Sequence, residues 1–187
     1  MTIYFLFGKT GSGKSYIGEL LRQLNIVHID GDNHITQKMR DCLIEDEQMT
    51  PEMIDEFVDV LIDVINTQKE KMPKESFAIS QAMYLDKHRI KLLNAIPELK
   101  FVMIDVTPVL RASRITNRFR NQESKVSLRY ATKMDTFFEY PSHETIRLEN
   151  NQGSDETLIE QIREKLPALF NMDSKEELNP SIKLQFA

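Results

Sequence analysis

The eight residues GKTGSGKS, at positions 8–15, constrain the fold of this 187-residue chain more than any other segment. They match the pattern G-x-x-x-x-G-K-[ST] at every fixed position. They follow a run of β-forming residues at 3–7 and precede apolar residues with helical spacing at 14–24. Glycines allow the backbone to curl until its N–H groups point at phosphate oxygens, and the N-terminus of the next helix attracts the same anion. The segment therefore predicts a strand, a loop and a helix that bind the phosphates of a nucleoside triphosphate.

The side chains of this loop have distinct expected tasks. A lysine at the position of Lys14 reaches the β- and γ-phosphates, and a hydroxyl at the position of Ser15 coordinates Mg²⁺. ATP and Mg²⁺ are therefore the expected ligands. The residues of this segment that we expect to contact the nucleotide are Gly8, Thr10, Gly11, Ser12, Gly13, Lys14, Ser15 and Tyr16.

Short apolar runs alternate with amphipathic stretches along the rest of the chain. The patterns predict further strands at 26–29, 77–79, 101–106 and 145–148. Helices are predicted at 14–24, 35–44, 86–95, 108–119, 128–138 and 157–170, and from Thr50-Pro51 onward. This alternation predicts an α/β fold of the P-loop NTPase type, with a five-stranded parallel sheet flanked by helices. Residues 1–170 form the expected domain. Residues 171–187 form a C-terminal tail, which is either loosely ordered or docked as a strand through its alternating apolar residues.

Composition argues against some classes of partner. The 24 basic and 29 acidic residues give a net charge of −5, which disfavours a nucleic-acid partner. No apolar run is long enough to cross a membrane, and the first one lacks the features of a signal peptide. The single cysteine, Cys42, excludes an internal disulfide and fits the cytoplasm, which is the expected location. We therefore expect a small-molecule substrate, with no nucleic acid and no membrane.

The segment HIDGDNH, at the end of the second predicted strand, places His28, Asp30, Asp32 and His34 at alternating positions. In an open α/β sheet, ligands lie outside the carboxyl ends of the strands. Both carboxylates are therefore expected beside residues 8–15, called the phosphate loop from here on. Period-two spacing would turn them to one side. We expect Asp30 to hold Mg²⁺ and Asp32 to take the proton of an attacking hydroxyl. His34 is expected to face the same cleft, and His28 to be a structural residue of the strand.

Two other interpretations of HIDGDNH remain open at this point. One is a solvated loop without a catalytic task. The other is a tetrahedral zinc site made by all four side chains, although four ligands within seven residues would demand severe bending and structural zinc sites usually use cysteine.

Arginines precede a polar segment, at about 119–127, that is predicted to form a lid. Arg111, Arg114 and Arg118 are spaced three and four residues apart, so they share one helix face. A lid closes over the phosphates and offers arginine to the developing negative charge, a task predicted first for Arg118 and then for Arg114. A solvated basic face and an RNA-binding face are the alternatives for these residues.

Several segments together resemble the gluconate kinases, which are small P-loop kinases related to shikimate kinase. After the strand and the phosphate loop come Asp30-Gly31-Asp32, then His34 and Lys38-Met39. Further similar segments are the acidic cluster at 45–47, Ser113-Arg114-Ile115 with Arg118, and the stretch at 137–141. The similarity spans roughly residues 3–165.

This resemblance implies a transfer of the γ-phosphate of Mg·ATP to a hydroxyl of a sugar acid such as gluconate. It implies substrate contacts from Asp32, His34 and Lys38, and a homodimer. It also implies adenine contacts from the loop at 149–153, which contains Asn150. The chain departs from the family at two acceptor positions, where Gln48 replaces an arginine and Met83 replaces a lysine.

Three alternative functions are compatible with the same residues. The run Asp-Gly-Asp-Asn also resembles the adenylylsulfate kinases, so an adenylylsulfate or nucleoside-type acceptor comes second. A nucleotide-binding switch without transfer activity would explain the diverged acceptor positions. A kinase that acts on a macromolecule could use the long acidic region at 45–63.

Overall fold

Five parallel strands form a single sheet in the order β2-β3-β1-β4-β5. The structure, a computed structural model, describes residues 1–45, 47–123, 126–151 and 154–170. Every hydrogen-bonded neighbour pair in the sheet is parallel. The predicted α/β fold with a five-stranded parallel sheet is therefore confirmed. The strands are β1 (Ile3–Phe7), β2 (His28–Asp30), β3 (Phe77–Ser80), β4 (Leu99–Asp105) and β5 (Thr145–Glu149).

Helices cover both faces of this sheet. In the central strand β1, Ile3, Phe5 and Phe7 belong to one apolar cluster, whereas Tyr4 and Leu6 belong to another. The first cluster includes residues of α3 and α4, and the second includes residues of α1 and α7. The central strand is buried on both sides, as a continuous apolar run in a parallel sheet requires. The helices are α1 (Lys14–Gln23), α2 (Gln37–Glu45), α3 (Pro51–Lys71), α4 (Asp86–Ala95), α5 (Pro108–Arg120), α6 (Leu128–Asp135) and α7 (Asp155–Lys165).

Two helices are shorter than their sequence patterns predict. The predicted helix at 157–170 ends at Lys165, because Pro167 cannot donate the next helical hydrogen bond, and a short 3-10 turn follows at Pro167–Leu169. The predicted helix at 128–138 ends at Asp135. The residues that follow leave the helix, and the N–H of Glu139 donates to the carbonyl of Tyr84, between β3 and α4, at 2.9 Å.

Some predicted segments fall partly or wholly outside the described residues. The predicted lid connects α5 to α6, and its residues 124 and 125 lie outside, as does residue 46 of the acidic cluster. Residues 152 and 153 of the predicted adenine loop and the predicted tail at 171–187 lie outside as well. Within the described ranges, no helix is both long and apolar enough to span a membrane.

The first helix lies close to β2 because Gly18 has no side chain. An added Cβ at Gly18 would lie 2.1 Å from Cε1 of His28, which is far inside contact distance. His28 itself is buried, and its Nε2 lies 3.0 Å from the Ser80 hydroxyl of β3. Burial, with a smaller effect of the Arg22 charge, lowers the pKa of His28 to about 4, so the ring is neutral at pH 7. The position fits the structural role predicted for this histidine.

A double-mutant cycle tests this contact between Gly18 and His28. Gly18→Ala should destabilise the protein by about 2 kcal/mol, because the methyl group overpacks against a buried ring. In a His28→Ala background, the same substitution should be neutral or stabilising by about 0.5–1 kcal/mol, since alanine favours the helix over glycine. Urea denaturation measures both values. An equal cost in the two backgrounds would contradict the proposed contact.

Candidate active site

The phosphate loop turns into α1 through a glycine in the left-handed region. Gly13 has a φ of +96°, and a Cβ there would lie 1.9 Å from Nδ2 of Asn150. Gly13 is also the N-cap of α1, and no side chain caps this helix end. The first N–H groups of the helix therefore lack a side-chain acceptor, and they can bind an anion.

The loop is fixed at Thr10 by two residues that lie far away in the sequence. The Thr10 N–H donates to the Tyr84 hydroxyl at 2.9 Å, and that hydroxyl donates to Oγ1 of Thr10 at 3.1 Å. Arg111 donates to the Thr10 carbonyl at 3.2 Å while it forms a bidentate ion pair with Asp135. Arg111 therefore joins α5 and α6 to the loop, and the lid role predicted for its helix face stays a prediction.

A second pair of contacts fixes the loop at Ser12. Nδ2 of Asn150 donates to the Ser12 carbonyl at 2.9 Å, and Arg114 approaches the same carbonyl at 3.5 Å. Arg114 also donates to Oδ1 of Asn150 at 3.3 Å. Asn150, which was predicted to lie in an adenine loop, thus uses its side chain to hold the phosphate loop. Its N–H is bonded to the carbonyl of Asp105 at 2.8 Å.

Lys14 lies folded over the loop that precedes it. Its ammonium donates to the carbonyls of Gly8 at 3.0 Å and of Lys9 at 3.3 Å. Burial lowers the pKa of Lys14 to about 8, and the charges of Asp32 and Asp30 partly offset that effect. The ammonium therefore lies against the loop that would bind the phosphates. It loses its proton more readily than the ammonium of an ordinary lysine does.

The two aspartates are arranged differently from the predicted strand alternation. β2 ends at Asp30, and the chain turns at once into a 3-10 helix at Gly31–His34. The Asp30 carboxylate caps this helix by accepting the N–H of Asp32 at 3.1 Å. Period-two spacing therefore does not align the two carboxylates. Asp32 lines the cleft, whereas the half-buried Asp30 is not among the described residues that line it.

The environment of Asp32 favours proton uptake. Partial desolvation by the cleft walls raises the pKa of its carboxyl above the ordinary value, although the residue stays accessible to solvent, and the negative charge of Asp30 adds to this rise. Lys14 and the side-chain amide of Gln81 act in the opposite direction. A carboxylate with a raised pKa is a stronger base than an ordinary one, which suits it to accept a proton from a hydroxyl.

The zinc alternative does not fit this geometry. The Nε2 atom of His28 points to Ser80 inside the sheet, away from the cleft that Asp32 lines. Across the described parts of the chain, no three His, Cys, Asp or Glu side chains converge to hold a metal ion.

A cleft of about 1140 Å³ joins most of the predicted site residues. His34 is half-buried on the 3-10 helix and Lys38 is exposed on α2, and neither is among the described residues that line the cleft. Their contact with a substrate stays a prediction. Gly8, Ser12 and Asp30 are not among the described residues that line the cleft either. The predicted residues that line the cleft are Thr10, Gly11, Gly13, Lys14, Ser15, Tyr16, Asp32, Arg114, Arg118 and Asn150.

Arg89 was not predicted from the sequence, although it fixes a segment that lines the site. Its buried guanidinium donates to the carbonyls of Met83 at 2.6 Å and Glu139 at 2.7 Å, and it pairs with Asp86 at 2.9 Å. It also lies over the Phe7 ring, 4.9 Å from the centroid. Arg89 thereby fixes the connection from β3 to α4, which carries Met83 and Tyr84. Because arginine is usually exposed, no sequence pattern distinguishes this one.

Several solved structures with the same fold are described as kinases. The chain is similar to a sugar kinase from Janibacter sp. HTCC2649, with a TM-score of 0.75 and 15% identity over 90% of this chain and 95% of that one. It is similar to a gluconokinase from Sinorhizobium meliloti 1021, with a TM-score of 0.69 and 20% identity over 90% and 91%. It is also similar to an APS kinase from Mycobacterium tuberculosis in complex with AMPPNP and APS, with a TM-score of 0.59 and 20% identity over 89% and 97%. No protein-family model matches the chain, and no curated protein does. The similarity establishes the fold.

The lowered pKa of Lys14 predicts how nucleotide affinity depends on pH. The free protein loses the Lys14 proton near pH 8, whereas bound phosphates would hold the ammonium charged. As far as Lys14 is concerned, the affinity for Mg·ADP should therefore be constant below about pH 8. Above pH 8, this affinity should fall by up to about tenfold per pH unit. Isothermal titration calorimetry of the wild type measures this.

Two variants control for other titrating groups. Lys14→Met should bind Mg·ADP more weakly at pH 7 and show no such fall above pH 8. Lys100→Met, which changes an exposed residue near the start of β4, should behave as the wild type. A wild-type affinity that stays constant through this range would contradict the role assigned to Lys14.

Proposed function

We propose that this protein is an ATP-dependent phosphotransferase, which moves the γ-phosphate of Mg·ATP to a hydroxyl of a small molecule. One observation carries the proposal. The phosphate loop, with Lys14 and the uncapped N-terminus of α1, shares a single cleft with Asp32, whose carboxyl has a raised pKa. A phosphate donor site and a proton acceptor thus face one space, which is the arrangement that phosphoryl transfer to an alcohol needs.

The nucleotide end of the cleft offers groups suited to Mg·ATP. Ser15 lines the cleft in the first turn of α1, and the half-buried Asp30 accepts the N–H of the cleft-lining Asp32. These oxygen ligands fit Mg²⁺, with Asp30 acting through water, and the ion would neutralise phosphate charge. Lys14 would release the carbonyls that it now contacts and bind the β- and γ-phosphates. Arg114, whose present hydrogen bonds are long, has donors to spare for a phosphate.

The transfer step needs a base and a positive charge near the moving phosphoryl group. Asp32 would accept the proton of the attacking hydroxyl as the oxygen bonds to the γ-phosphorus and ADP leaves. Arg118 is exposed at the cleft, and its charge already acts on Lys14 and Asp32. We assign Arg118 the stabilisation of the transferred group.

Two sources of similarity bear on the acceptor. A sugar acid such as gluconate is the acceptor that the sequence resemblance suggests, and the names of two structural neighbours, a sugar kinase and a gluconokinase, support it. An adenylylsulfate or nucleoside acceptor is second, supported by the APS kinase neighbour. Asp32, His34 and Lys38 are the proposed substrate contacts, and a homodimer is the proposed assembly.

A nucleotide-binding switch without transfer activity is the competing function. The neutral residues Gln48 and Met83, at positions where the gluconate kinases carry basic ones, favour it. A switch has no need of a base, however, so the raised pKa of Asp32 in the cleft favours transfer.

The proposal is tested by the release of ADP from Mg·ATP with gluconate, other sugar acids, polyols, nucleosides and adenylylsulfate. We expect at least one acceptor to stimulate release and to yield a stoichiometric phosphorylated product. If Mg·ATP binds but no acceptor stimulates release, the switch function replaces the transferase.

Replacement of the proposed base separates binding from chemistry. Asp32→Asn should lower turnover by about a hundredfold or more, since it removes the proton acceptor, and should leave the affinity for Mg·ATP almost unchanged. Single-turnover kinetics and calorimetry measure the two quantities. Asp63→Asn, on the exposed side of α3, is the matched control. Normal turnover in Asp32→Asn would remove the role of base from this residue.

A further inference from the structure

The acceptor side of the cleft has an apolar wall rich in methionine. Its residues come from the stretch around α2, from α3, from the connection after β3 and from α6. Met39, Phe57 and Met83 are buried, and the half-buried Ile35 and Met49 pack against the same cluster. This wall includes Ile35, Met39, Met49, Phe57, Met83 and Met134.

The basic residues of the cleft are confined to its phosphate end. Lys14 belongs to the phosphate loop, and Arg114 and Arg118 belong to α5. No other lysine or arginine is present among the described residues that line the cleft. Met83, which replaces a lysine of the gluconate kinases, is only 2% exposed within the apolar wall. A carboxylate placed against this wall would lose its hydration without gaining a partner, which is costly.

A buried histidine interrupts the apolar wall. His88 of α4 lines the cleft and is only 1% exposed, and neither ring nitrogen has a hydrogen-bond partner among the described residues. Burial lowers the pKa of this imidazole below its ordinary value, so it is neutral at pH 7. A neutral imidazole offers one donor and one acceptor, which match a hydroxyl or another uncharged polar group.

We infer that the acceptor is an uncharged alcohol with an apolar body, which lies against the methionine-rich wall and forms a hydrogen bond with His88. The inference rests on the proposed phosphoryl transfer for its catalytic meaning. The reacting hydroxyl would lie at Asp32, and the apolar body would fill the space between Met83 and Phe57. The flexible, polarisable methionine side chains can adapt to such a body. The same wall would reject sugar acids.

Two matched pairs of probes test the preference for an uncharged acceptor. Phenyllactate and the diol obtained by reducing its carboxylate share one carbon skeleton, and gluconate and sorbitol form a second pair without an apolar arm. Calorimetry would measure the binding of each to the full chain, saturated with Mg²⁺ and AMPPNP. We expect the aromatic diol to bind at least about tenfold more tightly than phenyllactate, and more tightly than sorbitol. The inference would be overturned if phenyllactate bound as tightly as the aromatic diol, or gluconate as tightly as sorbitol, or if either acid bound more tightly than its partner. It would also be overturned if the aromatic diol did not bind.

Lysine substitutions in the wall should weaken this preference. Met83→Lys places a positive charge on the acceptor side and should shift the ratio of affinities toward phenyllactate by about tenfold. Because a lysine at this buried position endangers folding, Met49→Lys provides the same charge on the half-buried part of the wall. Met72→Lys, at the end of α3 and outside the cleft-lining residues, should leave the ratio unchanged. If neither cleft variant that folds shifts the ratio, the wall does not select the acceptor.

Turnover with the same four probes, measured with Mg·ATP in place of Mg²⁺ and AMPPNP, separates this inference from the proposed function. Preferred binding of the diol without any release of ADP would retain the acceptor class and reject phosphoryl transfer. Release of ADP with acids alone would retain phosphoryl transfer and reject the uncharged acceptor.

Discussion

The site depends on the way in which distant side chains hold the phosphate loop. A glycine-rich loop has too much conformational freedom to stay curled by itself, so its ordering has an entropic cost. Here Tyr84 and Arg111 fix Thr10, while Asn150 and Arg114 fix Ser12. These anchors come from the β3–α4 connection, from α5 and from the end of β5. These contacts therefore hold the loop in its curled shape, and they make its position depend on the packing of the sheet and of α5.

The sequence was sufficient for the sheet and the loop because both depend on local patterns. Apolar runs such as Ile3–Phe7 and the glycine spacing of residues 8–15 determine strand, turn and helix with little help from distant residues. The position of Asp32 could be predicted only in part. The rule that ligands lie at the carboxyl ends of parallel strands placed it near the loop, but the 3-10 turn that begins at Gly31 was missed. This turn depends on a carboxylate cap and on contact with β3, which strand periodicity does not describe.

The contacts that anchor the loop could not be predicted for a different reason. Arg89 and Arg111 are ordinary charged residues of amphipathic helices by their spacing. Only tertiary packing makes Arg89 a buried donor and Arg111 a half-buried one. The acceptor wall illustrates the same limit. Its methionines lie on separate segments, so their convergence on one cleft is visible only in the fold. The family resemblance suggests a sugar acid as the acceptor, whereas the apolar wall favours an uncharged alcohol. We give the wall more weight because it consists of this chain's own residues.

The most direct test of the account follows the γ-phosphate itself. The wild-type protein would be mixed with [γ-³²P]ATP, Mg²⁺ and a deproteinised pool of small metabolites, and the label would be traced by chromatography over a single turnover. The account predicts that the label moves from ATP into an acid-stable ester of a small molecule, and that Lys14→Met abolishes this transfer. Label that stays in ATP, or that appears only as inorganic phosphate or on protein, would contradict it.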